Sequence, residues 1–212
     1  HLGNTLPEEK PSQLQNKCLV RTIYSSGDYS EMPHGIYAFN MPRVLFERFR
    51  IGPAIGSQLL VRQGLATTDD GTYLRYWHEL PFNEIGFGYS SPRAGNSSGK
   101  RWFPFNKGGG YRKWYGNWEH VIRYENDGMN LLELVKGKYP KISDPEFVIK
   151  NRGFYCLPGV TWSNVSGGAS AFRLQPQGVI FGSKGSCLFA GKIHQEETHL
   201  TLLGVLALMN SI

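Results

Sequence analysis

Cysteine is scarce in this 212-residue sequence, and long hydrophobic segments are absent from it. Cys18, Cys156 and Cys187 are widely spaced and form no C-x-x-C pair, which argues against a disulfide framework and against a zinc site. The longest apolar run, residues 200–209, is much shorter than the ~20 residues of a membrane-spanning helix. The polar, proline-containing first residues do not resemble a secretory signal. We therefore expect a cytoplasmic protein without membrane association.

The motifs that mark common active sites are also missing. The glycine-rich segment 182–186 lacks the G-x-x-x-x-G-K-[ST] spacing of a nucleotide-binding loop, and no serine occurs in a G-x-S-x-G motif. The closest approach to a nuclease pattern, Asp127, Glu133 and Lys136, has the wrong spacing. The histidines are not spaced as metal ligands, and the base-binding and cofactor loops of a DNA amino-methyltransferase do not occur. These absences predict a binding module without catalytic residues, metal or cofactor.

Positive charge is concentrated in one segment of the chain. The sequence has 23 Lys and Arg against 17 Asp and Glu, and residues 99–123 contain six of these cations but only one acid, Glu119. Within this segment, residues 102–118 interleave cations, aromatic rings and Gly108–Gly110 without helical or strand periodicity. Such a composition favours a surface that binds phosphates and stacks against bases. A surface loop anchored by core aromatics explains the composition equally well.

Hydrophobic patterning predicts a single α+β domain with a strand-rich core, a few helices and an apolar C-terminal helix. Strands are predicted at 18–24, 73–79, 120–124, 154–156, 171–174 and 179–181. Helices or helical turns are predicted at 41–50, at the start of 55–62 before a strand, at 131–139 and at 198–210, and loops at 63–71 and 92–99. The last helix is apolar and has no glycine cap. We therefore expect it to need a partner, to allow dimerisation, and to belong to a longer protein.

Several segments, in chain order, resemble the target-recognition domain of the PglX-type adenine-specific DNA methyltransferases of BREX phage-defence systems. Among them are R-Q-G-L-A-T, L-R-Y-W-H-E, K-R-W-F-P-F-N-K-G-G and R-K-W-Y-G-N, at 62–67, 74–79, 100–109 and 112–117. The other similar segments are 55–57, 118–128, 159–163, 171–173, 178–181, 185–189 and 202–211. The last of these is also similar to the helix that follows recognition domains in type I and type IIG specificity proteins.

The resemblance covers residues 42–212 and implies that this region is a recognition domain for a sequence in double-stranded DNA, with 1–41 as a leader and first strands. The methyltransferase core that precedes the domain in the family is missing from the chain. The resemblance therefore implies that catalysis and S-adenosylmethionine belong to a parent enzyme, whose methyltransferase domain is the partner in the same chain.

The candidate DNA contacts are cations, polar side chains and aromatic rings placed in loops. Cations following the glycines suit phosphates, whereas Arg62 and Gln63 carry groups that read guanine and adenine edges. The cations that follow the glycines could instead be ordinary surface charge. Arg62 could instead form a structural ion pair with a carboxylate. The full set of DNA-binding candidates is Arg62, Gln63, Thr67, Thr68, Arg75, Lys100, Lys107, Arg112, Lys113, Trp114, Tyr115, Thr161, Ser163 and Lys184.

The five tryptophans are expected to divide between core and surface. Trp77, Trp102 and Trp162 are predicted to be core residues. Trp114, followed by Tyr115 and flanked by cations, is predicted to be exposed. Thr161 and Ser163 precede a glycine pair at 167–168, which suggests a second DNA-facing loop.

Two other functions are compatible with the sequence. The chain could be a nuclease or hydrolase with a degenerate motif. It could also be a protein-interaction scaffold within a defence complex, or a carbohydrate-binding module that uses exposed tryptophans.

Overall fold

The computed structural model describes Gly27, Val44, Glu47, Arg48, Ile51, Gly52 and residues 54–165, 169–191 and 195–211. The chain divides into two compact units, residues 1–57 and 58–212. The predicted strand at 18–24 lies outside the described residues. Of the predicted helix at 41–50, only Val44, Glu47 and Arg48 are described, and all three are helical. The fold is therefore described for the second unit.

The elements follow one another in a mixed order of short strands and helices, as expected for an α+β fold. The helices are α1 (Ile55–Gln58), α2 (Asp70–Tyr73), α3 (Pro92–Ser97), α4 (Met129–Lys138) and α5 (Gln195–Asn210). The strands are β1 (Leu59–Arg62), β2 (Leu74–Tyr76), β3 (Trp102–Asn106), β4 (His120–Arg123), β5 (Gly159–Trp162), β6 (Phe172–Gln175), β7 (Ile180–Phe181) and β8 (Cys187–Ala190). Single 3₁₀ turns connect them at Trp77–Glu79, Phe82–Glu84, Glu125–Gly128, Pro145–Phe147 and Arg152–Phe154.

The strands form two four-stranded sheets. The first sheet is antiparallel, with strand order β1-β8-β5-β6. The second has the order β2-β4-β3-β7, in which β3 and β7 run parallel and the other pairs antiparallel. Strand β8 is buried on both faces because Cys187 and Phe189 contribute to the largest core cluster, while Leu188 packs on the other side with Leu202 and Leu206 of α5. The apolar C-terminal helix thus covers one face of the first sheet.

Most of the predicted elements are confirmed. The helix-to-strand transition at 55–62, the strands at 120–124, 171–174 and 179–181, and the helices at 131–139 and 198–210 match α1–β1, β4, β6, β7, α4 and α5. The α+β fold class is likewise confirmed.

Three local predictions are wrong, each for a physical reason. Residues 92–99 contain a helix, not a flexible loop, because Ser91 accepts a hydrogen bond from Ala94 N (3.2 Å) and Pro92 takes the first helical position. The strand at 73–79 is limited to β2, with helical residues before and after it. Residues 154–156 are not a strand, since a 3₁₀ turn ends at Phe154 and Cys156 has a positive φ of 68°.

Strand β3 is one of three strands that hydrophobic patterning missed, together with β5 and β8. Its residues are mostly buried on both faces of the sheet, so no exposed polar residue alternates with the apolar ones. Phe103 and Phe105 enter the main core, and Trp102 packs on the other face with Ile85 and Val121. Of the aperiodic segment 102–118, residues 102–106 thus form a central strand, and the loop begins at Lys107.

Burial of two titratable groups in this core predicts alkaline instability. Burial raises the pKa of Cys156 from an ordinary 9.0 to about 12 and that of Tyr124 from 10.0 to about 12. The unfolded chain therefore releases these protons first, and the free energy of unfolding should fall as the pH rises from 9.0 towards about 12. We expect a loss on the order of 1 kcal/mol per pH unit for each titrating group, measured by urea unfolding below and above pH 9.0. Burial also raises the pKa of the Cys187 thiol, so a Cys156→Ala variant should keep the onset near 9.0 but lose stability less steeply above it, and an unchanged steepness would contradict the assignment to Cys156.

Candidate nucleic-acid interface

Residues 63–70 (the 63–70 loop) follow β1 and include the first residue of α2, and they are fixed to the second sheet and to a neighbouring turn. Leu65 N donates to Phe181 O (3.1 Å), and Ser183 N donates to Leu65 O (2.8 Å), which forms a parallel bridge beside β7. Leu65 itself is 1% exposed, so it anchors the loop in the core. Gln63 Nε2 adds a bond to Ser183 O at 3.2 Å. The 63–70 loop is therefore a fixed surface feature.

Four lysines from separate parts of the chain converge on the 63–70 loop. Lys150 Nζ lies 3.0 Å from Gln63 Oε1, and Lys138 Nζ, at the end of α4, lies 2.6 Å from Thr68 O. Lys107 Nζ, at the end of β3, lies 2.8 Å from Asp70 Oδ2. Lys184 is close enough to Asp70 for its charge to lower the pKa of that carboxyl group. The loop is thus surrounded by positive charge.

An open cavity of about 170 Å³ lies among these groups. Its apolar floor includes Leu65 and Phe105, while its polar rim combines hydroxyl, carboxylate and ammonium groups. Four residues that the sequence singled out for DNA binding meet here, namely Thr67, Thr68, Lys107 and Lys184. The side chain of Lys184 is exposed and has neither a hydrogen bond nor an ion pair within the described part of the chain.

Thr68 has an unusual conformation at the rim of this cavity. Its φ is 59°, in the left-handed region that a β-branched residue rarely adopts. Its Oγ1 is buried and has no hydrogen-bond partner among the described residues. Strain of this kind persists only where the surrounding contacts hold it, and here Lys138 binds the Thr68 carbonyl oxygen. The hydroxyl is therefore a free polar group at the site.

Asp70 is the one acid in the cavity lining. Its carboxylate bonds to the Thr67 hydroxyl as well as to Lys107. Burial by itself raises the pKa of Asp70, but the hydrogen bonds from Lys107 and Thr67 outweigh it, and the net pKa is lowered. Asp70 is therefore negatively charged at neutral pH.

The segment from Lys107 to Glu119 is a loop docked on the edge of the first sheet. Trp114 N donates to Phe172 O and Leu174 N donates to Trp114 O, both at 2.9 Å, so the backbone extends the sheet beyond β6. The prediction of exposed rings is confirmed, since Trp114 is 52% and Tyr115 61% exposed. Arg112 lies 3.8 Å from Glu119, and Lys113 Nζ donates to Asn210 O at 2.9 Å.

A buried polar network joins this loop to the cavity. Asn106, 0% exposed at the end of β3, donates to Thr161 Oγ1 (2.6 Å), Gln175 Oε1 (3.2 Å) and Gly185 O (3.2 Å). Its Oδ1 accepts a hydrogen bond from Gly108 N at 3.1 Å. Asn106 thereby positions both the backbone that follows Lys107 and the turn that carries Lys184.

Other predicted contacts engage groups within the fold. Arg62 lies over the Phe154 ring at 5.1 Å and donates to Val61 O, and it forms no ion pair with a carboxylate among the described residues. Arg75 donates to Gly71 O and Leu74 O, and Lys100 donates to Asn83 O at 2.6 Å.

The predicted second loop is only partly described. Thr161 is fully buried, with its hydroxyl bonded to Ser186 O at 2.8 Å, so this side chain offers no surface to a ligand. Ser163 Oγ bonds to Gly109 O at 2.8 Å. The glycine pair at 167–168 lies outside the described residues.

The tryptophan predictions give a mixed result. Trp102 is buried, as predicted, and Trp162 is half-buried against the cluster that contains α5. Trp77 is 47% exposed, so its prediction as a core residue is wrong. It follows β2 in a 3₁₀ turn, where alternation between two faces no longer applies.

Sequence patterns gave no sign of three residues at this interface. Lys138 and Lys150 belong to segments without any binding motif, and Asp70 occurs in a turn-rich stretch. Only the tertiary contacts place them beside the 63–70 loop. In the part of the chain that the structure describes, no group of three or more His, Cys, Asp or Glu could hold a metal ion. None of the helices described is long and apolar enough for a membrane span.

No family model matches the sequence. Two characterised proteins are similar to it. Over 153 residues, or 72% of the chain, it is 36% identical to the adenine-specific methyltransferase PglX of Lacticaseibacillus casei (strain Zhang). Over 207 residues, or 96% of the chain, it is 32% identical to the adenine-specific methyltransferase BrxX of Escherichia coli O9:H4 (strain HS). The chain spans 12% of PglX and 15% of BrxX, and over these segments it is related to adenine-specific methyltransferases of the PglX/BrxX type.

Proposed function

We propose that residues 42–212 are a double-stranded DNA recognition module of an adenine-N6 DNA methyltransferase in a phage-defence or restriction-modification system. The observation that carries the proposal is the convergence of four lysines on the 63–70 loop and its cavity. The relatedness to proteins named adenine-specific methyltransferases supports DNA as the ligand. Methylation of adenine and binding of S-adenosylmethionine then belong to a methyltransferase domain of the same parent chain. The role of this module is to recognise the DNA sequence.

The geometry suggests a division of roles between phosphate contacts and base contacts. Ammonium groups bind the phosphate backbone and position a protein on the duplex, but they carry little sequence information. We assign this role to Lys138, Lys150 and Lys184. Gln63 is exposed on the 63–70 loop, and its amide group suits hydrogen bonding to base edges. The exposed rings of the loop that begins at Lys107 would extend this surface.

Salt dependence of duplex binding is the direct test. The full 212-residue chain is titrated against a labelled random-sequence duplex by fluorescence anisotropy at about 50 and about 200 mM salt, where phosphate contacts have a large effect. We expect affinity to fall steeply with salt. Absence of binding at the lower concentration would contradict DNA recognition by this chain, and repeating the titration with the full-length parent would separate a missing domain from a different function.

Substitution of single lysines tests which surface meets the duplex. Lys138→Gln and Lys184→Gln should each reduce the slope of log K against log salt by about 0.9, because each removes one phosphate contact. Lys136→Gln is the matched control, since residue 136 lies on the same helix but roughly 200° around its axis from residue 138. Lys138→Arg should retain the slope. If the substitutions at residues 136 and 138 reduce the slope equally, binding depends on the net charge of the protein and not on the position of Lys138.

A protein-interaction role is the second candidate, favoured by the exposed leucines of α5. Leu200 is 72% and Leu208 62% exposed, although the opposite face of the helix packs on the first sheet. Exposed apolar side chains on one helix mark contact surfaces for other proteins. This role predicts no salt-dependent duplex binding, together with self-association in sedimentation experiments that Leu200→Gln and Leu208→Gln weaken.

A further inference from the structure

The carboxylate of Asp70 lies in the middle of the lysine-rich surface. One oxygen lies 2.8 Å from Lys107 Nζ, and the other accepts from the Thr67 hydroxyl. The side chain of Asp70 is 55% exposed and that of Lys107 is 35% exposed, so solvent and ligands reach the pair. Lys184, which has no other partner within the described residues, is the next nearest cation.

Two common structural roles of an aspartate, helix capping and a stabilising ion pair, do not account for Asp70, although its carboxylate also accepts a hydrogen bond from the buried Thr67 hydroxyl. At the start of α2, the capping role belongs to Asp69, whose carboxylate accepts from Thr72 N at 3.1 Å. An ion pair as exposed as that of Asp70 and Lys107 adds little to stability, because water screens it. The position of Asp70 therefore calls for an explanation at the binding surface itself.

A phosphate group satisfies the same donors as this carboxylate. Both are anions with at least two acceptor oxygens, and both bind an ammonium group and a hydroxyl at once. Accordingly, we propose that Asp70 occupies the place of a DNA phosphate on Lys107 and Thr67 and is displaced when the duplex binds. This inference rests on the DNA-recognition function proposed above, and it adds Asp70 as the residue that sets the affinity.

Such a residue weakens binding to every sequence by the same factor. Each duplex must replace the Asp70–Lys107 contact and also overcome the repulsion between the carboxylate and the nearby phosphate. A correct site compensates through base contacts, whereas a random site does not. Asp70 thus keeps the affinity for random duplexes low, while a duplex with the recognised sequence still binds through its base contacts.

Substitution of the two adjacent aspartates provides the test. Asp70→Asn keeps an acceptor for Thr67 and removes the charge, and Asp69→Asn removes one charge at the neighbouring position. For a random duplex at about 50 mM salt, we expect Asp70→Asn to bind about fivefold more tightly, the factor that corresponds to a surface ion pair. We expect Asp69→Asn to change the affinity less than about twofold, because the Asp69 carboxylate makes no ion pair within the described residues and Lys138 acts on it only through space.

A double variant ties the effect to Lys107. In a Lys107→Gln background, Asp70→Asn should not increase the affinity for the random duplex, since the Asp70–Lys107 contact no longer exists. Equal gains for Asp70→Asn and Asp69→Asn, or an undiminished gain without Lys107, would overturn the role of Asp70 while leaving DNA recognition intact. If neither the unmodified chain nor any variant binds duplex, DNA recognition itself fails and the inference fails with it. Urea unfolding of each variant confirms that the compared proteins are folded.

Discussion

Gly64→Ala should destabilise residues 58–212 by about 3 kcal/mol, the upper end of the usual cost of overpacking. A Cβ atom at this position would lie 1.8 Å from the carbonyl oxygen of Phe181 and 2.4 Å from its carbonyl carbon. Both are backbone atoms of β7, so relief requires the chain to separate from the strand. That movement breaks the 3.1 Å bond from Leu65 N to Phe181 O, which anchors the 63–70 loop.

Gly137→Ala is the matched control for this substitution. Residue 137 is in α4, and nothing lies within 4 Å of the added methyl group. Alanine should therefore stabilise the helix by roughly 0.5–1 kcal/mol, since it has less backbone freedom to lose on folding. The two variants should thus differ in sign when the free energy of unfolding is measured in urea. A stability of Gly64→Ala equal to that of the unmodified protein would show that the loop does not pass this close to β7.

The loop shift should also affect ligand binding under conditions where Gly64→Ala remains folded. We expect weaker, less salt-dependent binding of the random duplex, because the 63–70 loop no longer holds its side chains beside the lysines. Retained binding with full salt dependence would indicate that the duplex meets another face of the molecule.

Asn106→Leu should cost about 3 kcal/mol of unfolding free energy. Leucine has a similar size but can neither donate nor accept a hydrogen bond. Gly108 N and Gln175 Oε1 would therefore lose their present partner in the interior. Each buried group left unpaired costs about 1–3 kcal/mol. Because Asn106 links β3 to the first sheet, the loss should also loosen the turn that carries Lys184.

An exposed asparagine provides the comparison for this variant. Asn130, at the start of α4, is exposed and donates to the Glu125 carboxylate at 3.0 Å. Asn130→Leu should change stability by no more than about 0.5 kcal/mol, as for most surface substitutions. Similar midpoints of urea unfolding for the two leucine variants would mean that water replaces the Asn106 side chain in the network.

A part of the candidate site could be predicted from residue types alone. Thr67, Thr68, Lys107 and Lys184 were chosen as separate candidates, and the structure brings them to one cavity. Thr161 has the same polar character, yet its hydroxyl is buried, where it accepts a hydrogen bond from Asn106 and donates one to Ser186 O. Composition does not distinguish the two cases, because a polar side chain in a strand can face either the solvent or a neighbouring sheet.

The sequence by itself determined several of the local elements and the distribution of charge along the chain. Helix α4 follows from hydrophobic periodicity and α5 from an apolar run of residues. The cluster of cations and rings at 99–123 follows from composition, since all three depend only on neighbouring residues. The relatedness to PglX and BrxX is likewise a property of the sequence.

Only the tertiary structure decided which of these groups act together. Lys138 reaches a carbonyl 70 residues away in the chain, and Gln63 reaches one 120 residues away. Such contacts depend on the order of strands in two sheets and on the parallel pairing of β3 with β7. Pairings between distant segments leave no periodic signal in either partner, because the period of a strand or helix records which face is buried but not what buries it.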